Sequence, residues 1–437
     1  MGMIAVPSKG SHPRDRDAAP ANTALLNLLI CQNLFNTFSP YLTLAINASV
    51  VAILLTRHQL RCVIPAPVVI SSVYAVLIWM LVVVAFRGEA DTQIVFKYFR
   101  TTLAVSTLAL IFGSRCFPAS SIIKAINLAF GLHVLLVMLQ IAFPDLTAIT
   151  APIFGFEREI TIVEQYTMRK LGATSSYDTA SLLSVVALLF FYQQFTQGKG
   201  RRYLLMAAVA FVATFMSSRT GMAMSLLLVS VLFVLALLRA KLAWKLVAST
   251  GIAALAVAAY FLIYPLLLQT LGLSELQSDD VSFAFAATDY GTTGTLEALT
   301  EDHLKPLDQP LSDLLIGFAV DPNAIGRETD IGYVKFIYHV GIVGTLVVLF
   351  VHFYMLVATS RFVHASMRDR DRDRDHDRTS IARLLFALIA ISLVFNYKSL
   401  EIHSRGTGDF IYMLFLFLAS TRAIVGGSGS PSNTKAL

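Results

Sequence analysis

Ser217-Ser218-Arg219-Thr220-Gly221 is a short polar turn between two apolar runs, 203–217 and 220–239. Similar runs recur near 23–39, 41–56, 66–86, 100–114, 120–143, 180–195, 244–266, 333–358, 381–398 and 408–424. Judged against the roughly 20 residues a helix needs to cross the hydrocarbon core, they make about twelve transmembrane helices. The runs at 100–114 and 203–217 are short and require a thinned bilayer or snorkelling flanks. The first, with Asn27, Gln32, Asn33 and Asn36, is polar enough to lie in the interface instead. Hydrophobic residues are 56% of the chain and charged residues 14%, a balance that excludes a soluble domain of 437 residues. The expected fold class is an all-α polytopic membrane protein.

Orientation follows from the connections. Gln197-Gly198-Lys199-Gly200-Arg201-Arg202 and the segment from Arg239 to Lys245 are short and strongly basic, as are Arg57, Arg61 and Arg115 at other run ends. Basic loops stay in the cytoplasm. The segments 87–99, 144–179, 217–220, 267–332 and 399–407 then face outward, and both termini are cytoplasmic: 1–22 as an uncleaved tail and 425–437 as a second tail. The body of the protein is 23–424. Its outward segment 267–332, about 65 residues, exceeds ordinary loop lengths and is expected to be functional and partly helical. It is rich in acids, among them Asp279, Asp280, Asp313, Asp321, Glu328 and Asp330. The cytoplasmic linker 359–380 contains RDRDRDRDHDR at Arg368–Arg378, whose alternating charges nearly cancel and read as a solvated stretch.

The net charge of +6 reflects basic loops facing anionic lipid, and no nucleic-acid-binding signature is present. Cys31, Cys62 and Cys116 form no CxxC pair. His133, His339 and His352 lack ligand-spaced partners, and no HExxH, P-loop, GxGxxG or nucleophile elbow occurs, so neither metal nor cofactor is expected. What remains is arginine on the outward side: Arg158, Arg169, Arg219, Arg327 and Arg405. One arginine at a membrane surface is ordinary snorkelling. Several on one face point to a phosphate or carboxylate ligand. Guanidinium groups stabilise a leaving diphosphate as a glycosidic bond breaks, and a carboxylate relieves the attacking hydroxyl of its proton. Any anionic ligand would satisfy the arginines equally.

Phe215-Met216-Ser217-Ser218-Arg219-Thr220-Gly221, opening an apolar helix, resembles the Ser-Arg-x-Gly signature of the O-antigen polymerase and ligase superfamily. Leu315-Ile316-Gly317-Phe318, Asp330-Ile331-Gly332-Tyr333 and Gly341-Ile342-Val343-Gly344 are similar to its second signature, and Arg169-Lys170-Leu171-Gly172 to its arginine–glycine element. The resemblance covers roughly residues 165–350. It implies a type-C glycosyltransferase fold and a bacterial inner-membrane, Wzy-type polymerase with its active site facing the periplasm. The substrates implied are undecaprenyl-diphosphate-linked oligosaccharides, with a chain-length-determinant protein as a possible partner. Arg169, Arg219, Arg327 and Arg405 would hold diphosphate, Asp330 or Glu328 would act as base, and Tyr177 and Tyr333 would stack on sugar. Asp330 is equally placed to cap a helix. Ligases of the superfamily carry a histidine near the end of the long loop, where this chain has Asp330, which favours polymerase. A flippase or other transporter is the competing class; long acidic outer loops and acid-poor spans argue against it.

The topology is testable by single cysteines in a cysteine-free background. Ser278→Cys and Ser312→Cys are expected to react with an impermeant maleimide added to intact spheroplasts, and Ser366→Cys is not. Labelling at position 366 would reverse the orientation and every site assignment with it.

Overall fold

The computed structural model describes residues 20–35, 39–57, 65–88, 91–114, 116–155, 169–239, 304, 307–326, 329, 331–368, 376–397 and 406–420. Among these the chain is helical throughout, with no strand. The principal helices are α1 (Pro20–Phe35), α2 (Pro40–Thr56), α3 (Pro67–Arg87), α4 (Thr92–Gly113), α5 (Ala119–Ala142) and the short α6 (Asp145–Thr150). They continue with α7 (Tyr177–Thr196), α8 (Arg202–Phe215), α9 (Arg219–Arg239), the short α10 (Leu311–Ile316), α11 (Gly332–Arg368), α12 (His376–Phe395) and α13 (Thr407–Ser420). By length and composition α3, α4, α5, α7, α11 and α12 can each cross a membrane, α1, α2, α8 and α13 are shorter apolar helices, and α9 is apolar over Thr220–Leu232. The protein is all-helical and membrane-embedded. Every apolar run that falls on described residues lies in one of these helices; the run at 244–266 lies outside them.

Local chemistry sets the helix starts. Ser39, Asp91 and Ser176 each turn a side-chain oxygen onto an orphan backbone amide, at Tyr41, Gln93 and Thr179 respectively. Asp91 corrects one boundary: the segment 87–99 is largely helical, because the cap starts α4 at Thr92 and its first turns bury Ile94, Tyr98 and Arg100. The run at 100–114 is therefore the end of a 22-residue helix. Helix also extends into the charged linker from both sides, since α11 runs to Arg368 and α12 starts at His376. Lys199 pairs with Asp377 at 3.3 Å and Gln197 donates to Ser380 at 2.8 Å, tying the basic turn before α8 to the start of α12.

Two polar residues of the first run, Gln32 and Asn33, are buried against α2. Asn33 and Asn47 exchange amide hydrogen bonds at 2.9 and 3.2 Å, and Gln32 donates to Thr43 at 3.1 Å, so α1 and α2 are zipped by buried amides. In the core of α5, α7 and α13, Phe130 meets Phe191 and Phe410 edge to face and Phe190 at a tilt. Arg100 of α4 and Asp409 of α13 form an ion pair at 2.6 Å, each 1% exposed. Removing one partner of such a pair costs about 3–5 kcal/mol, because the other charge is left buried alone.

The long helix α11 is broken at Gly341, where φ is 67° and ψ 177°. The break interrupts the hydrogen-bond ladder, and the segment after α10 fills it. Phe318 and Ala319 both donate to the Tyr338 carbonyl, at 2.8 and 3.1 Å, and the Trp79 indole donates to the Val340 carbonyl at 2.7 Å. A side chain at Gly341 would strike the Leu315 carbonyl and Ile316. Gly341→Ala therefore combines a left-handed backbone with a backbone collision, a penalty on the order of 3 kcal/mol. The variant is expected to lose half-life in detergent several-fold relative to the parent. Unchanged half-life would mean that α10 is free to move away from the break.

Candidate functional site

The segment Arg169–Thr174 precedes α7 and is gripped by α5. The Gln140 side chain accepts from the Gly172 amide at 2.9 Å and donates to Thr150 at 2.8 Å. His133 accepts at Nδ1 from the Ala173 amide at 3.2 Å, which leaves its other nitrogen to donate to the Ala180 carbonyl and Ser184 hydroxyl, each at 3.1 Å. Gly172 has φ +55°, and a Cβ there would meet the His133 ring at 2.6 Å and Val137 at 2.7 Å. Glycine is required for both the turn and the close approach.

The same segment touches the turn before α9. The Lys170 amide donates to the Met216 carbonyl at 2.6 Å. Ser217 is buried and donates to Ala213 at 2.9 Å, while the Ser218 hydroxyl accepts from the Gly221 amide at 3.3 Å and so caps α9. Arg219 is the first residue of that helix. A Cβ at Gly221 would collide with Ser181 of α7, so α9 and α7 meet backbone to side chain there. The Arg169 guanidinium lies 5.8 Å from the centroid of the Tyr177 ring. Lys170 is 2% exposed, and burial lowers its ammonium pKa to about 8, leaving it mostly charged at neutral pH.

The structure thus brings Arg169, Tyr177, Lys170 and the backbone of the Arg219 turn to one junction of α5, α7, α8 and α9. Tyr333 is placed elsewhere: its hydroxyl donates to the Leu393 carbonyl of α12, and its ring packs with Ile331, Val334 and Phe318. Arg327, Glu328, Asp330 and Arg405 lie outside the described residues, as does the side chain of Arg219. Around Asp330, the Thr329 amide donates to Asn323 at 2.8 Å and the Ile331 amide to the Thr329 hydroxyl at 3.2 Å.

Sequence reasoning missed three features. The Arg100–Asp409 pair was visible as two ionisable residues at the ends of apolar runs, a pattern that marks buried partners. The grip of His133 and Gln140 on the 172–173 backbone was not visible, because one polar residue in an apolar helix does not name its partner. The burial of Lys170 depends on the same docking. No known protein family and no curated protein matches the chain.

Gly172→Ala is expected to lift the 169–174 segment off α5. In a cysteine-free background, Lys170→Cys should react slowly with maleimide when Gly172 is intact and at least tenfold faster beside Gly172→Ala. Equal rates would show that the docking does not depend on this glycine.

Proposed function

We propose that the protein is a metal-independent polysaccharide polymerase of the Wzy type. It would join undecaprenyl-diphosphate-linked oligosaccharides into O-antigen, capsule or exopolysaccharide at the periplasmic face of the bacterial inner membrane. The reading includes about twelve spans, each near the length a bilayer demands, and a large periplasmic segment at 267–332. The observation that carries it is the bond from the Lys170 amide to the Met216 carbonyl. Two motifs that resemble the superfamily, distant in sequence, share one junction, and its cation Arg169 sits beside an aromatic ring. In this reading Arg169 and Arg219 grip the diphosphate, helped by Arg327 and Arg405, and Tyr177 offers its face to sugar. Asp330, or Glu328 after it, takes the proton from the attacking hydroxyl as the bond from the anomeric carbon to the diphosphate oxygen breaks. The leaving diphosphate keeps the electron pair and is stabilised by the guanidinium groups.

A ligase moving finished glycan to another acceptor is the runner-up within the class. The glycan pool after gene deletion separates them. Loss of a polymerase leaves single repeat units on the acceptor, whereas loss of a ligase leaves long polymer on its lipid carrier. The buried Arg100–Asp409 pair favours a transporter, since charges within spans often mark ion or substrate pathways. Deletion of a flippase would instead strand units on the cytoplasmic face.

Lysine keeps the charge of Arg219 but not its two-pronged donor geometry. Arg219→Lys is therefore expected to shorten polymer on a gel almost as severely as Arg219→Ala, at equal expression. Full-length polymer from Arg219→Lys would leave the residue a headgroup anchor.

Asp330→Asn is expected to cut turnover on the order of 10²–10⁴-fold, the usual loss for a general base, with lipid-linked substrate still bound. Near-normal polymer would reduce Asp330 to a helix cap and move the test to Glu328.

A further inference from the structure

One face of α5 is open along its length. Leu128, Leu132, Leu135 and Leu139 follow one another at helical spacing and are all exposed, while Ile126, Phe130, His133 and Val137 are buried against the bundle. In a chain embedded in a membrane, such a stripe faces acyl chains. It begins beside the exposed Lys124 and does not stop where the helix does. Phe143, the residue after α5, is 64% exposed, and Ile149 of α6 is 65% exposed. At about 1.5 Å per residue, Phe143 lies roughly 28 Å along the axis from Lys124, close to the roughly 30 Å of a hydrocarbon core. Phe143 and Ile149 therefore fall where that core gives way to headgroups.

The polarity of α6 is reversed for a helix in water. Its hydroxyls face the protein: Thr147 is buried, and buried Thr150 accepts from the Gln140 side chain at 2.8 Å and donates to the Leu146 carbonyl at 2.8 Å. Its Ile149 faces away. Water would favour the opposite arrangement. The helical turn that follows, Pro152–Phe154, is also held inward, with Phe154 edge to face against Phe35 of α1 at 6.4 Å between centroids. We propose that the 143–154 segment is an interfacial lipid-binding element, with Phe143 and Ile149 seated among the acyl chains of the leaflet at that end of α5. Acyl chain is the partner because the patch continues a stripe that already faces lipid. The sequence places 144–179 outside the spans; its first residues instead extend the membrane-facing surface. Gln140 gives the seating a consequence, because the side chain that holds Thr150 also accepts from the Gly172 amide at 2.9 Å. The leaflet thereby sets the height of the segment that carries Arg169. The seating stands whether or not the chain makes polymer.

The test is depth-dependent quenching in the full-length protein, made cysteine-free and reconstituted in phosphatidylcholine vesicles. Phe143→Cys and Ile149→Cys are labelled with a bimane. Leu135→Cys serves as the reference within the stripe, and Arg201→Cys, in the exposed basic turn before α8, as the aqueous reference. Lipids brominated near the headgroup are expected to quench labels 143 and 149 several-fold more than label 201. Lipids brominated near the chain ends should favour label 135. Iodide on both sides of the vesicle should quench 143 and 149 several-fold less than 201. Iodide quenching at 149 equal to that at 201, with no effect of brominated lipid, places the segment in water and overturns the proposal. Protection from both quenchers places a second protein copy on the patch and overturns it equally. A label-free measurement guards against disturbance by the dye: Ile149→Glu is expected to lower the melting temperature in lipid nanodiscs, and Ile149→Trp to leave it unchanged or raise it. An unaltered melting temperature for Ile149→Glu also overturns the proposal, since a carboxylate is costly only where lipid surrounds it. Neither measurement reads polymer, so failure here leaves the polymerase reading as it was.

Discussion

The Tyr338 carbonyl accepts two backbone amides, those of Phe318 and Ala319, and the seating of the 311–319 segment on the broken helix α11 hangs on that contact. In hydrocarbon no water is at hand to satisfy a broken helix, so an interrupted span persists only where protein supplies the missing partners. The kink at Gly341 is tolerated because the 317–319 backbone and the Trp79 indole supply them. The segment that fills the break is pinned in turn from α3. Arg87 pairs with Asp313 at 2.9 Å, donates to the Gly317 carbonyl at 2.8 Å and lies 4.7 Å from the centre of the Phe318 ring. Gly317, with φ +94°, is forced by the same approach, because a side chain there would strike the Gly341 backbone. Two glycines in facing segments thus let two backbones meet where neither could carry a Cβ.

A second constraint runs through the spans. Three pairs of polar side chains that would be costly in lipid are matched within the bundle: Asn33 with Asn47, Gln32 with Thr43, Arg100 with Asp409. The matched pairs join helices that are close in sequence in the first two cases and remote in the third. Arg100 and Asp409 tie α4 to α13, one turn beyond Gly406, whose missing side chain lets the chain pass the Leu34 carbonyl. The last described helix is thereby held to α1 and to α4.

Much of the bundle was legible because bilayer thickness imposes a length on apolar runs that composition alone reveals. Boundaries were less so: α4 begins at Thr92 because Asp91 caps it and Arg100 is neutralised by Asp409, a partner more than three hundred residues away that hydropathy does not see. The Arg/Asp repeat read as linker since alternating charge has no apolar face, yet helix enters it from both ends. At the candidate site, Arg169, Tyr177 and the Arg219 turn were legible as residue types. Their junction was not, because it is built from the backbone of Gly172 and Ala173 on Gln140 and His133, and from a single amide of Lys170 on Met216. Backbone contacts of this kind leave no mark in composition.

The way these connecting segments are fastened has a chemical consequence. An exposed arginine on a free loop loses much of its binding energy to the entropy of ordering it; one whose backbone is already fixed loses less. Arg169 is followed immediately by residues hydrogen-bonded to α5 and to the turn before α9, so its backbone is set before any ligand arrives. In the 307–331 segment Asn323 accepts the Thr329 amide, the Thr329 hydroxyl accepts the Ile331 amide, and the helix that follows is anchored at Tyr338. Diphosphate binding and proton removal both need groups held in place rather than gathered on demand. A transport pathway asks for the opposite, segments that part and rejoin around a site between the spans. Backbone ties of this kind hold a segment to its helix instead of letting the two part.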